Sequence, residues 1–250
     1  MKQLLIILSL ILVSLTSVMG QSDQLKKAND LYAKGDFENA IPVYESLVDT
    51  GLVSGPLFFN LGNAYYKTGQ LGYAILNYER AKLYMPKDKD LEYNLQLAQK
   101  MVVDKIDKVD VFFLKRWIIG IGNNMSSDRW AYTGIAAFFL LIVSIAVYTF
   151  SGRSGLKQLG FYFGVLMILV TAVSFAYSGS QKNKITGRNG AIVFSPTVTV
   201  KGSPDDSGTE LFILHEGTKV NVTDSIGDWN EIVLGDGNVG WLKKSTIKKI

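Results

Sequence analysis

Two stretches without a single charge limit this chain more than any other feature: 23 residues from Trp130 to Gly152 and 24 from Gln158 to Gln181. As helices rising about 1.5 Å per residue, each is long enough to cross a hydrocarbon layer of about 30 Å. The link between them is short and contains Arg153 and Lys157, so they must return as a helical hairpin, with spans expected at 130–150 and 158–178. Aromatic residues cluster near the ends (Trp130, Tyr132, Tyr148, Phe150, Tyr162, Tyr177), where amphipathic rings prefer the membrane interface. The competing reading is a buried helix pair in a soluble core. Gly160 and Gly164 form a G-x-x-x-G step. It is either a packing face, since small residues let helix backbones approach in lipid, or a chance spacing.

A hairpin leaves both flanking segments on one side of a membrane. Residues 1–20, MKQLLIILSLILVSLTSVMG, place a lysine before an apolar run and small residues, the pattern of a secretory signal peptide, cleaved or retained as an anchor. Both flanks are then expected outside the cytoplasm, on the periplasmic side of the inner membrane. Arg153 and Lys157 would face the cytoplasm in the positive-inside sense, although Arg129, Lys182 and Lys184 flank the opposite ends. Between the first folded part and the first span, a connector over 104–129 contains VDVFFLKRWIIGIGNN. Phe113 and Trp117, and Leu114 and Ile118, recur at helical spacing opposite Lys115 and Arg116. This is an amphipathic helix lying on the bilayer, or a packed connector.

Composition excludes several chemistries. With no cysteine and one histidine, His215, there are no disulfides, no thiol nucleophile and no thiolate zinc site. Residues 21–110 hold 11 basic and 13 acidic side chains, 111–181 hold 5 and 1, and 182–250 hold 9 and 8. The basic excess therefore surrounds the apolar segments, which suits a membrane surface rather than nucleic acid. No cofactor, metal site or catalytic residue is expected, and the chain is not expected to be an enzyme.

The segment before the spans repeats itself. Gly35 and Gly69, Ala40 and Ala74, and Tyr44 and Tyr78 are each 34 residues apart, the period of a helix–turn–helix repeat. Leu61, Gly62, Tyr65, Gly69, Ala74, Tyr78, Ala81 and Pro86 fall where close helix packing, a turn and a helix stop require them. These residues resemble the tetratricopeptide (TPR) repeat, with repeats at about 21–54 and 55–88 and a capping helix at 89–103, a TPR domain over 21–103. The resemblance implies a concave groove presenting Asn29, Asn60, Asn63, Tyr66, Lys67 and Asn94 to a peptide partner, unless the asparagines bond within the repeats. The basic clamp of some TPR domains is not matched, because Leu25, Asp90 and Asn94 stand at its positions.

From Gly190, within a domain expected over 185–250, the pattern changes to short Val-, Ile- and Thr-rich runs separated by turn signals such as Asp236-Gly237. The stretch with Gly240-Trp241 before the last run resembles a bacterial SH3 domain, a small all-β barrel. Trp241 is expected in the core. Trp229 is either core or part of a binding surface, and His215 is a turn residue. The expected fold is therefore multidomain: an all-α TPR solenoid, a two-helix transmembrane hairpin and a small SH3-like barrel.

This order of parts, with the segment LHEGTKV…DGNVGW, resembles the BatE family of the Bat aerotolerance operons. The resemblance implies a membrane-anchored scaffold without enzymatic activity. Its partners would be other membrane proteins of that system, von Willebrand A-domain proteins and a second TPR protein, besides the lipid bilayer. The alternative is a cell-wall anchor that holds peptidoglycan through the SH3 domain.

Overall fold

The computed structural model describes residues 23–106, 112–187 and 189–250. The expected signal peptide at 1–20 lies outside the described residues, as does part of the connector. The described chain forms two compact units, one of residues 23–82, 89–106 and 190–250, the other of 83–88 and 112–189.

The first unit begins with α1 (residues 23–33), α2 (Phe37–Asp49), α3 (Gly55–Lys67), α4 (Leu71–Tyr84) and α5 (Lys89–Met101). The turn from α1 to α2 is repeated from α3 to α4. Gly35 and Gly69 have φ of 79° and 75°, a left-handed conformation that glycine adopts without a Cβ penalty. The next residue's amide then reaches back into the finished helix, from Asp36 N to Leu31 O (3.0 Å) and from Gln70 N to Tyr65 O (2.9 Å). That closure satisfies carbonyls a helix end would otherwise leave open. Ser54 starts α3, its hydroxyl accepting from Leu57 N at 3.3 Å, with Pro56 in the first turn. Ala28, Ala40, Ala64, Ala74, Ala81 and Ala98 are fully buried, so helix backbones approach closely at these points, while Tyr44, Tyr65 and Tyr78 fill the remaining space. A Cβ on Gly62 would lie 2.7 Å from the Tyr78 ring.

The same unit contains seven strands: β1 (Gly190–Val193), β2 (Thr197–Lys201), β3 (Glu210–His215), β4 (Lys219–Ile226), β5 (Trp229–Val233), β6 (Val239–Lys243) and β7 (Ile247–Lys249). They form one antiparallel sheet in the order β3-β2-β6-β5-β4-β1-β7. Val220 and Val222 point inward and Asn221 and Thr223 outward, as the two-residue period of a strand requires. The core contains Val193, Val200, Leu214, Val220, Ile232, Leu242 and Ile247. The sheet starts at Gly190, where the pattern changes. Trp241 is half-buried rather than in the core, because it pairs across to Glu231 and Lys201 on the outer face, while its neighbours Gly240 and Leu242 point in.

The sheet is packed against the helices. The turn from β3 to β4, residues 215–219, sits between α4 and the chain that follows α5. A Cβ on Gly217 would lie 2.9 Å from Val102 and 3.1 Å from Ile75, so the turn fits there only as glycine. Asp104 accepts from the His215 backbone N (2.7 Å) and the Thr218 hydroxyl (2.6 Å), and its other oxygen is 2.7 Å from His215 Nδ1. Glu216 accepts from Gly72 N (3.1 Å), and Lys219 donates to the buried Glu79 carboxylate (2.6 Å). On a second edge of the contact, Tyr73 stacks on Tyr65 and meets Phe194 edge-on. Lys248 Nζ lies 4.2 Å from the centre of the Tyr73 ring, a cation–π geometry.

The second unit consists of α6 (Phe113–Gly122), α7 (Ser127–Phe150) and α8 (Ser154–Gly187). α7 and α8 are long and apolar enough to cross a membrane. Only 17% and 22% of their most apolar stretches are buried, so these side chains do not serve as a protein core. What is buried is a narrow seam, Ser127, Trp130, Gly134, Ala137 and Ser144 on α7 against Gly160, Gly164, Met167, Ser174 and Gln181 on α8. These positions recur at steps of three, four or seven residues, mostly with small side chains, and let two helices lie close together. Both helices outrun the expected spans because Asp128, Arg129 and the polar residues after Tyr177 are compatible with helix outside an apolar layer.

The two glycines of the G-x-x-x-G step differ. A Cβ at Gly160 would lie 3.0 Å from Ser144 O and Tyr148 N, both backbone, whereas at Gly164 the nearest atom is a side-chain carbon at 3.5 Å. Gly160→Val is therefore expected to separate the hairpin, at a cost at or above the roughly 1–3 kcal/mol of overpacking. Gly164→Ala is expected to change little. Resistance of the full-length protein to unfolding by SDS checks both; equal loss in the two variants would contradict the difference.

Candidate functional site

α1, α3 and α5 share one face of the helical array, and their polar residues form two matching triads. In the first, Asn29 Oδ1 accepts from the Tyr44 hydroxyl (2.7 Å) and from Asn60 Nδ2 (3.1 Å). In the second, Asn63 Oδ1 accepts from the Tyr78 hydroxyl (2.8 Å) and from Asn94 Nδ2 (2.8 Å). Each member is 34 residues from its counterpart, so the sequence repeat is also a repeat of the hydrogen bonds.

The tyrosines set the direction of the amides. Burial, with the Tyr32 phenol adding, pushes Tyr44 up to about 12, a bond to Asn60 working the other way. Tyr78 is also raised, by burial first and then by Tyr32 and Tyr66. Both phenols stay protonated and donate, so Asn29 and Asn63 turn their oxygens inward. Their Nδ2 groups, and the Oδ1 atoms of Asn60 and Asn94, make no bond among the described residues. An amide offers both donors and an acceptor, and this row leaves groups of both kinds open.

Four of the six expected groove residues, Asn29, Asn60, Asn63 and Asn94, are thus brought together, and each also bonds to another member of the row. The two readings of these asparagines, groove and internal bonding, are compatible because each amide has more than one polar atom. Tyr66 and Lys67 follow Asn63 by about one turn. Tyr66 is half-buried, and Lys67 is exposed beside a shallow cleft with Gly35, Asp36, Phe37, Glu38 and Thr68. Trp229 is half-buried at the start of β5, with Lys243 Nζ 5.5 Å from its ring centre. Gly160 and Gly164 lie in the helix seam. Among the described residues no group of three or more His, Cys, Asp or Glu is arranged to hold a metal.

Sequence reasoning missed Glu79, Asp104 and Lys219, and gave His215 only a turn. His215 does end β3 at a turn, but it also contacts Asp104, 111 residues earlier. Burial acts to raise the Asp104 pKa; the bonds from Thr218 and His215 outweigh it and hold the carboxyl below its ordinary value. The polar cluster His215-Glu216-Gly217-Thr218 was the available signal, but nothing local names its partner.

No protein-family model matches the chain, and no curated protein is significantly similar to it.

Proposed function

We propose that this chain is a membrane-anchored protein–protein interaction scaffold of a Bat-type envelope complex. In this reading the helices of the first unit are a TPR array, the sheet is an SH3-like barrel, and α7 and α8 cross the inner membrane. The observation that carries it is the doubled asparagine–tyrosine–asparagine ladder, which holds a row of open amide groups on one face. Such a row suits the main chain of an extended segment of a membrane protein partner. Anchoring partners to one membrane raises their effective concentration, so weak contacts suffice.

The helices and the sheet belong to one compact unit although α7 and α8 separate them in the chain. A packed unit must lie in one compartment, which an even number of crossings permits. The N-terminal apolar segment makes that compartment the periplasm. Single cysteines at exposed Lys34 and Asp236 of this cysteine-free chain are expected to react with an impermeant maleimide in intact spheroplasts, and a cysteine at Arg153 only after lysis. Protection of Lys34→Cys or Asp236→Cys before lysis would reverse the sidedness. Photo-crosslinking from Asn60 is expected to capture a membrane protein, and no product above background would count against the scaffold.

A further inference from the structure

The C-terminal end of α6 is fastened to the hairpin. Gly122 O accepts from Trp130 Nε1 (2.9 Å) and from Gln181 Nε2 (2.7 Å), and Ile118 O accepts from the Tyr177 hydroxyl (3.1 Å). Asn123 Oδ1 accepts from Lys184 Nζ (2.8 Å). A Cβ on Gly122 would meet the Tyr177 ring at 2.8 Å, so the joint closes on a residue without a side chain. From this fixed end α6 runs with every residue from Phe113 to Gly120 exposed.

At 100° per residue, Phe113, Trp117, Leu114 and Ile118 occupy one arc of α6, and Lys115 and Arg116 the other. Trp117 is 65% exposed and Phe113 71%. Beside the joint stand Arg129 and Lys182, both exposed. Among the described residues of this end Asp128 is the one acidic residue. Two features therefore identify what covers the apolar arc: its helix is joined at Gly122 to two helices long and apolar enough to cross a membrane, and it is edged by positive charge.

We propose that α6 is an interfacial helix that docks on the surface of an anionic phospholipid bilayer, its aromatic arc among the acyl chains and Lys115, Arg129 and Lys182 against lipid phosphates. The proposal rests on the reading of α7 and α8 as membrane spans. Interfacial helices bind by buried apolar area plus attraction to anionic headgroups, and α6 supplies both from an attachment that already holds it at the end of the hairpin.

The full-length protein is reconstituted in vesicles of phosphatidylcholine alone or of equal parts phosphatidylcholine and phosphatidylglycerol. A polarity-sensitive fluorophore is placed at Leu114→Cys on α6 or Phe139→Cys on α7. In the anionic vesicles brominated lipid is expected to quench both probes and aqueous iodide neither. The ratio of lipid-inserted to exposed probe at 114 is expected to fall about fivefold in Lys115→Gln, and to fall in phosphatidylcholine alone. Iodide quenching at 114 with lipid quenching kept at 139 would overturn the proposal and leave the spans intact. Iodide quenching at both would overturn the spans as well. A probe at 114 shielded from both quenchers would indicate a covering protein, and equal insertion in both lipids would remove the anionic partner; either result overturns the proposal.

Discussion

Replacing Asp104 with alanine is expected to lower the stability of the first unit by about 2–6 kcal/mol, because each buried donor left without an acceptor costs about 1–3 kcal/mol. Two donors lose their acceptor, the His215 backbone amide and the Thr218 hydroxyl, and Thr218 is 3% exposed. In a protein of this size that corresponds to roughly 5–25 °C in Tm. Thermal unfolding of the full-length protein in detergent checks it, with hydrogen exchange at residues 215–219 reporting whether the turn has left its place between α4 and the chain after α5. An unchanged Tm would mean that the carboxylate does not hold sheet to helices.

The same carboxylate gives a pH signature. Its pKa is lower in the folded protein than in the unfolded chain, where it is about 3.9. The folded state therefore gains from Asp104 fully above the unfolded value and loses that gain as pH falls through the folded one. Wild-type stability should decline more steeply below about pH 4 than that of Asp104→Asn, which keeps an acceptor oxygen but does not titrate. Parallel acid profiles would contradict this.

Asn63→Ala is expected to cost about 1–3 kcal/mol and to abolish partner crosslinking from Asn60. Asn63 is the hub of the second triad, and the Tyr78 hydroxyl that it receives belongs to a side chain only 1% exposed. Adding Tyr78→Phe removes the stranded donor, so the double variant should be more stable than the two single losses predict. Stability would then recover in part while the crosslink stays lost, because the open Nδ2 of Asn63 is still missing. Asn94→Ala removes a half-buried donor and should cost less than Asn63→Ala. Strictly additive losses in the double variant would show that Asn63 and Tyr78 are not coupled.

Much of the architecture follows from local pattern. The period of 34 places α1 to α4 because each glycine turn and each alanine contact is a short-range requirement repeated in the chain. Six of the seven strands coincide with the Val-, Ile- and Thr-rich runs; β7, only Ile247–Lys249, is too short for its alternation to show. The lengths of α7 and α8 come from uncharged runs and a brief link, since any charge inside would have been visible.

Contacts between distant segments were decided only when the chain folded. A small helical array closed by a capping helix could be read in the amino-acid order, but not that the chain's own sheet covers α4. The residues that join them, Asp104 with His215 and Glu79 with Lys219, lie 111 and 140 positions apart, and a lone carboxylate has the same local pattern whether it meets water or an imidazole. Nor could order alone choose between the two roles of the asparagines: the 34-residue period brings Asn29 near Asn60 and Asn63 near Asn94, but which amide atom turns inward depends on the buried tyrosine hydroxyl, and burial is a property of packing in three dimensions.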